Sequence, residues 1–150
     1  MKAEKGPLSL VWEMINGCAE VADRSTAVRG IRAVCKWFGG QLLYIPAYKT
    51  TGKNAGELLG VLADEVGDAA AGRMLEKLML LYGGDQLYIP MEKKAFKDII
   101  AREIYERYDG SQASMRELCR EYGVSFDHMY TLFYKGRDVK NQPELDFQDE

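Results

Sequence analysis

Between Gly123 and Arg137 the chain sets out a row of side chains suited to recognition rather than bond-making. Hydroxyls stand at Ser125 and Thr131, phenols at Tyr130 and Tyr134, a carboxylate at Asp127, the sole histidine at His128, and cations at Lys135 and Arg137. Phe126, Met129, Leu132 and Phe133 are the apolar residues of a short second helix, and Met129, Leu132 and Phe133 predict its inward face. That leaves Ser125, Asp127, His128, Tyr130, Thr131 and Tyr134 facing outward. Such groups donate and accept hydrogen bonds and meet phosphate charge. Catalysis asks for other patterns, and the sequence has no paired carboxylates with a histidine, no nucleophile motif and no cluster at metal-ligand spacing. No catalytic residue, metal or cofactor is therefore expected.

The elements that must hold this row have their own signals. Phe96, Ile99, Ile100, Glu103, Ile104 and Tyr108 predict an amphipathic helix that stops at Asp109-Gly110. Ser114 is the expected cap of the next helix, and Ser114 to Glu117 has capping-box spacing. That helix carries Leu118, Cys119 and Tyr122 and breaks at Gly123-Val124-Ser125. A small residue at Cys119, a turn glycine at Gly123, apolar Val124, a hydroxyl cap at Ser125 and buried Met129 and Leu132 follow helix-turn-helix grammar. In that motif the outward face of the second helix enters the major groove of double-stranded DNA. His128, Tyr130 and Thr131 then fall to base edges or phosphates, and Arg116, Lys135 and Arg137 to the backbone. Asp127 is able to accept from a cytosine amino group.

The rest of the chain repeats itself. Phe38-Gly39-Gly40-Gln41-Leu42-Leu43-Tyr44-Ile45-Pro46 returns as Tyr82-Gly83-Gly84-Asp85-Gln86-Leu87-Tyr88-Ile89-Pro90. Two helical patterns precede each copy: Val11 to Ala22 then Val28 to Phe38, and Leu58 to Val66 then Ala71 to Tyr82. Asp23 or Ser25, and Asp68, are the expected caps of the second helix in each unit. The glycines stop the helix and reverse the chain into a short strand ended by proline. So short a strand needs a partner, and the other copy is the obvious one, paired antiparallel. The fold class is mainly α: tandem helix-helix-strand units forming a dimeric or pseudo-dimeric core with a two-stranded antiparallel ribbon, then a helix-turn-helix domain. The boundaries read as 1–93 for the core (repeats about 8–49 and 55–93, joined at Thr50 to Asn54), 94–137 for the helix-turn-helix, and 138–150 for an acidic tail.

Hydrophobic residues make up 47% and charged residues 29%, the balance of an ordinary globular protein, and the net charge is −3. That is not the footprint of a general nucleic-acid coat. Asp138, Glu144, Asp146, Asp149 and Glu150 oppose only Lys140 after Arg137, so the tail reads as solvated and disordered. No apolar run approaches a membrane span, and the start resembles no signal peptide. Cys18, Cys35 and Cys119 share no metal spacing and read as reduced core residues of a cytoplasmic protein.

Three quoted stretches carry a family resemblance: Gly83-Gly84 with Leu87-Tyr88-Ile89-Pro90, Tyr105 to Ser111, and Arg116 to Ser125. From about Leu58 to Arg137 the chain resembles the Mor/C family of phage middle- and late-gene transcription activators. The resemblance implies a dimer whose core is two helices and a strand from each subunit, with two helix-turn-helix domains in adjacent major grooves. It also implies a strand close to DNA, which brings Gln86 and Tyr88 near the backbone or minor groove. This chain adds a second unit ahead of the matching region. Two copies on a short linker favour an internal pseudo-dimer, because the linker holds one copy at high effective concentration beside the other. The alternative is a strand-swapped homodimer. The expected function is a sequence-specific DNA-binding regulator of phage or prophage origin, working with DNA and with RNA polymerase or another host protein. The acidic balance supports a second reading: a Mor-like protein-binding module that inhibits a host protein.

Overall fold

The structure, a computed structural model, describes residues 7–140. Their elements are α1 (Pro7–Cys18), α2 (Arg24–Phe38), β1 (Gln41–Tyr44), α3 (Lys53–Val66), α4 (Asp68–Tyr82), β2 (Gln86–Ile89), α5 (Glu92–Ala95), α6 (Lys97–Arg107), α7 (Gln112–Tyr122) and α8 (Phe126–Lys140). The chain divides between Ala95 and Phe96 into two compact units.

In the first unit, α2 buries Ala27, Gly30, Ile31, Val34 and Cys35. The counterpart helix α4 buries Ala71, Met74, Leu75, Leu78 and Met79, the same five positions of the repeat. Asp23 caps α2, its carboxylate accepting from the Thr26 N–H at 2.7 Å. The expected cap at Asp68 is displaced. Asp68 is the first residue of α4, and Gly67, at φ +90°, takes the cap position. The expected linker is likewise shorter, because α3 already begins at Lys53.

The two strands pair with each other within the chain, antiparallel, with Gln41 opposite Ile89, Leu42 opposite Tyr88, Leu43 opposite Leu87 and Tyr44 opposite Gln86. Leu43 thus faces its own counterpart, which centres a pseudo-two-fold axis on that pair. The flanking hydrogen bonds obey it: Gly40 N–H donates to Ile89 O and Gly84 N–H to Ile45 O, both at 2.7 Å. So do the side chains. Arg29 donates to the main-chain carbonyl of Glu65, and Arg73 to that of Val21. Arg32 pairs with Glu92 at 2.7 Å, while the counterpart positions hold a Tyr48–Glu76 hydrogen bond of 2.8 Å. On the helices the counterparts Gly30 and Met74 meet directly, for a Cβ on Gly30 would lie 2.5 Å from Met74 Cε. A large residue on one side is matched by none on the other.

Each Gly-Gly pair divides its labour. Gly40 and Gly84 take φ of +83° and +87°, the left-handed turn into the strand. Gly39 and Gly83 have ordinary negative φ but no room for a side chain. A Cβ on Gly39 would strike Cys35 O and sit 2.7 Å from Met91 Cα. One on Gly83 would lie 2.5 Å from Met79 O. The thiols of Cys18 and Cys35 are buried in this unit and pushed up to about 12 by desolvation.

The second unit is α6, α7 and α8. Helix α8 runs through Gly136 to Lys140, so Asp138, expected to open the tail, is helical; 141–150 lie outside the described residues. Its buried row is Met129, Leu132, Gly136 and Val139. Gly136 is where α8 crosses α6: a Cβ there would run into Ala101 O and come within 2.8 Å of Tyr105 Cβ. Phe133 continues the contact, with ring centroids 5.2 Å from Tyr105 and 5.3 Å from Tyr108. No helix of the described residues is long and apolar enough to cross a membrane.

Candidate nucleic-acid interface

The turn ahead of α8 is built as its residues dictate. Gly123 adopts φ +66°, ψ +42°, and its N–H closes on Cys119 O. Val124 N–H donates to the same carbonyl at 3.1 Å, so two hydrogen bonds finish α7. Ser125 then caps α8, its Oγ accepting from His128 N–H at 3.1 Å. At the other end of α7 the cap is Ser111, which accepts from Ser114 N–H at 3.0 Å; the capping box expected at Ser114 starts three residues too late. Asp109 fixes Ser111 by accepting its N–H at 2.8 Å, and that bonding holds the Asp109 carboxyl below the usual range. Arg107 clamps α7 to α6 through both Glu121 oxygens, at 2.9 and 2.7 Å. The Tyr122 phenol, pushed up to about 12 by desolvation and by Glu103, donates to Glu103 at 2.9 Å.

On this frame Asp127, His128, Tyr130, Thr131, Tyr134 and Arg137 lie exposed on α8, Ser125 lies exposed at its cap, and Arg116 is exposed on α7. Several already have local work. The Ser125 hydroxyl is the cap. Thr131 Oγ1 donates back to Asp127 O at 3.3 Å. Asp127 stands in the first turn of α8, where a carboxylate suits the positive end of the helix dipole. Desolvation first, then a hydrogen bond to Tyr130, raises the Tyr108 phenol. Arg137 lies over the Tyr134 ring at 5.2 Å and pairs with Asp138 at 3.4 Å. Lys135 departs from the expected outward cation: it is half-buried and paired with Asp98 at 3.2 Å. Gln86 and Tyr88 belong to the other unit, on the exposed face of β2 beside Leu42 and Tyr44.

Phe126, the apolar residue that opens α8, is 48% exposed. Gly136 packs on Ala101 and Phe133 on Tyr105, so α8 runs antiparallel to α6. By the level of Phe126, α6 has ended at Arg107. Two surface groups escaped the sequence reading. Arg120 lies one turn beyond Arg116 on α7, and Tyr44 is the ribbon counterpart of Tyr88. The repeat itself pointed to Tyr44. Arg120 had no signal beyond helical spacing.

Between Phe96 and Lys140 eight basic residues meet eight acidic ones, so helices α6 to α8 together carry no net charge. Among the described residues no cluster of histidine, cysteine and carboxylate side chains is arranged to hold a metal. Fold and surface together define a small helical protein with a self-paired ribbon core and a second unit that displays one polar, aromatic helix face. The model of the Mor transcription activator family matches residues 48–144, and the chain belongs to that family. The match takes in the second repeat and the whole α6–α8 unit; the first repeat precedes it. Comparison with curated proteins and with solved structures found no match.

Proposed function

We propose that the protein is a sequence-specific DNA-binding transcription regulator of phage or prophage origin, working in the cytoplasm without enzymatic activity. The observation that carries this reading is the α7–turn–α8 arrangement. A left-handed glycine and a hydroxyl cap aim α8, bury Met129 and Leu132, and leave His128, Tyr130, Thr131 and Tyr134 outward. In a helix-turn-helix this face reads the major groove. His128 and Thr131 are the base readers, with Tyr130 and Tyr134 beside them. Arg116 and Arg137 contact phosphates. Lys135 joins them only after leaving Asp98. Gln86 and Tyr88 contribute backbone contacts from the ribbon. RNA polymerase is the natural protein partner of an activator.

The test is fluorescence anisotropy of labelled duplexes from the upstream region of the protein's own operon. His128→Ala and Thr131→Ala should each lose about 1–3 kcal/mol at the preferred site and relax its specificity. Arg116→Ala and Arg137→Ala should weaken binding to every sequence and flatten the salt dependence. Absence of binding at low salt would end this reading. The balanced charge of helices α6 to α8 and the ion pairing of Lys135 and Arg137 favour the other reading, a Mor-like module that inhibits a host protein, and would make it the successor.

A further inference from the structure

One difference between the two halves of the ribbon core leaves an open groove. A groove of about 410 Å³ opens between α2 and α3, lined by Trp37 and Phe38 on one side and by Gly56, Glu57, Val61 and Asp64 on the other. The counterparts of these six are Leu81, Tyr82, Trp12, Glu13, Gly17 and Glu20, and there the site is shut from within. Tyr82 donates to Glu13 at 3.0 Å. Lys77 pairs with Glu20 at 2.7 Å. Leu81 lies on α1 so closely that a Cβ on Gly17 would be 2.6 Å from its Cδ1.

In the open half every one of these fillers has been exchanged. Phe38 has no hydroxyl where Tyr82 has one, and Ala33 replaces the ammonium of Lys77. Gly56 stands where α1 carries half-buried Trp12, and Trp37 is 65% exposed against 46% for its counterpart Leu81, which still touches α1 at Gly17. The two carboxylates were kept. Glu57 and Asp64 correspond to Glu13 and Glu20, yet both are exposed and have no hydrogen bond or ion pair among the described residues. A Cβ on Gly56 or on Gly60 would have nothing within 4 Å, so the floor of the groove is open backbone one helical turn long.

We propose that this groove docks a segment of a partner protein that carries a lysine or arginine beside an aromatic side chain. The cation supplies to Asp64 and Glu57 what Lys77 and Tyr82 supply to Glu20 and Glu13. The ring lies over Gly56 against the face of Trp37, where the cation gains further attraction from the indole. A trough open along its length, with two glycines letting a backbone approach α3, suits a peptide better than a free small molecule. The site lies in the first unit and stands whether or not α8 reads DNA.

The experiment is a titration of the isotope-labelled full chain, followed by NMR, with end-blocked tripeptides: lysine–tryptophan–lysine, lysine–alanine–lysine and glutamate–tryptophan–glutamate. Only the first should move the signals of Trp37, Gly56 and Gly60, and high salt should weaken it. The double change Glu57→Gln with Asp64→Asn, confined to exposed side chains, should weaken binding roughly tenfold. Rebuilding the closed half with Gly56→Trp and Phe38→Tyr should abolish it; should that variant fail to fold, the carboxylate pair decides. No shift in α3, equal binding of the alanine peptide, or wild-type binding by the carboxylate variant overturns the proposal. Tryptamine binding as tightly as the tripeptide overturns the protein-partner assignment in favour of a small amine.

Discussion

Replacing Gly39 by alanine should destabilise the ribbon core far more than replacing its neighbour Gly40. At Gly39 a Cβ meets only main chain: Cys35 O on its own helix, Met91 Cα at 2.7 Å and Pro90 O at 3.0 Å on the facing segment. Carbon contacts relax near 3.5–4.0 Å, so α2 must back away from the end of β2 by about 1 Å. Overpacking of this kind costs roughly 1–3 kcal/mol, and rigid neighbours on both sides place Gly39→Ala near about 3. At Gly40 the nearest atom is Met91 Cγ at 3.5 Å, an ordinary contact, and the cost is the left-handed φ of +83° alone. That is about 1–2 kcal/mol, offset by about 0.4–1 from the stiffer unfolded chain. Gly83→Ala falls between, since its contacts at Ala47 Cα and Pro46 O are 3.2 Å. Both tryptophans, Trp12 and Trp37, lie in this unit, so indole fluorescence during urea unfolding reads it selectively. With a slope of about 1–3 kcal/mol per molar urea, the Gly39 variant should lose roughly 1–3 M in midpoint and the Gly40 variant about a quarter of that. A Gly40→Ala loss equal to or larger than that of Gly39→Ala would refute the division of labour between the two glycines.

Gly136→Ala should destabilise the second unit by at least about 2 kcal/mol, because the new Cβ strikes Ala101 O. Gly72→Ala in α4, with nothing within 4 Å, should instead stabilise the first by about 0.5–1 kcal/mol; ellipticity and indole melts of the two variants check the opposite signs. Asp23 and Asp109 both have lowered pKa values, from Thr26 and Ser111 respectively. A depressed folded pKa gives stability that is present above the unfolded value, about 3.9 for aspartate, and lost as pH falls through the folded one. Asp23→Asn should therefore keep the cap at neutral pH but flatten the acid limb of a stability–pH curve, and an unchanged acid limb would count against the Thr26 bond. Native protein should expose only half-buried Cys119 to a thiol reagent near pH 8, with Cys18 and Cys35, pushed up to about 12, reacting on unfolding.

The ribbon core was legible because the sequence states it twice. Two copies of aromatic-glycine-glycine-strand-proline left little choice but an antiparallel pair, whereas the register centred on Leu43 and Leu87, with strands that start at Gln41 and Gln86 and leave Ile45 outside, was not legible, since any counterpart pair satisfies the two-fold. The turn at Gly123 and the cap at Ser125 were legible because each is a local device that its own residues complete. What escaped depends on partners distant in sequence. The acidic residues after Arg137 read as a tail, so the last residues of α8, from Asp138 to Lys140, were missed; Gly136 is buried just before them against the backbone of Ala101. Phe126 is apolar yet exposed, and nothing local in the sequence tells where α6 stops short of it. Lys135 reads as a free cation until Asp98, on another helix, appears beside it. At Ser111 and Ser114 two hydroxyls compete for one cap, and the Asp109 bond to Ser111 decides between them.

The pairing of Gly30 with Met74 has a consequence for how the chain is able to change. In a homodimer, residues on the axis are the same residue, and any mutation there lands twice at once. Two methionines would collide at this spot and two glycines would leave a hole. With both halves on one chain, each axial site mutates alone, so large can be set against small. The meeting of β1 and β2 also needs no second molecule here, since both strands lie on one chain. The same freedom extends outward from the axis, where Arg32 with Glu92 on one side has become Tyr48 with Glu76 on the other.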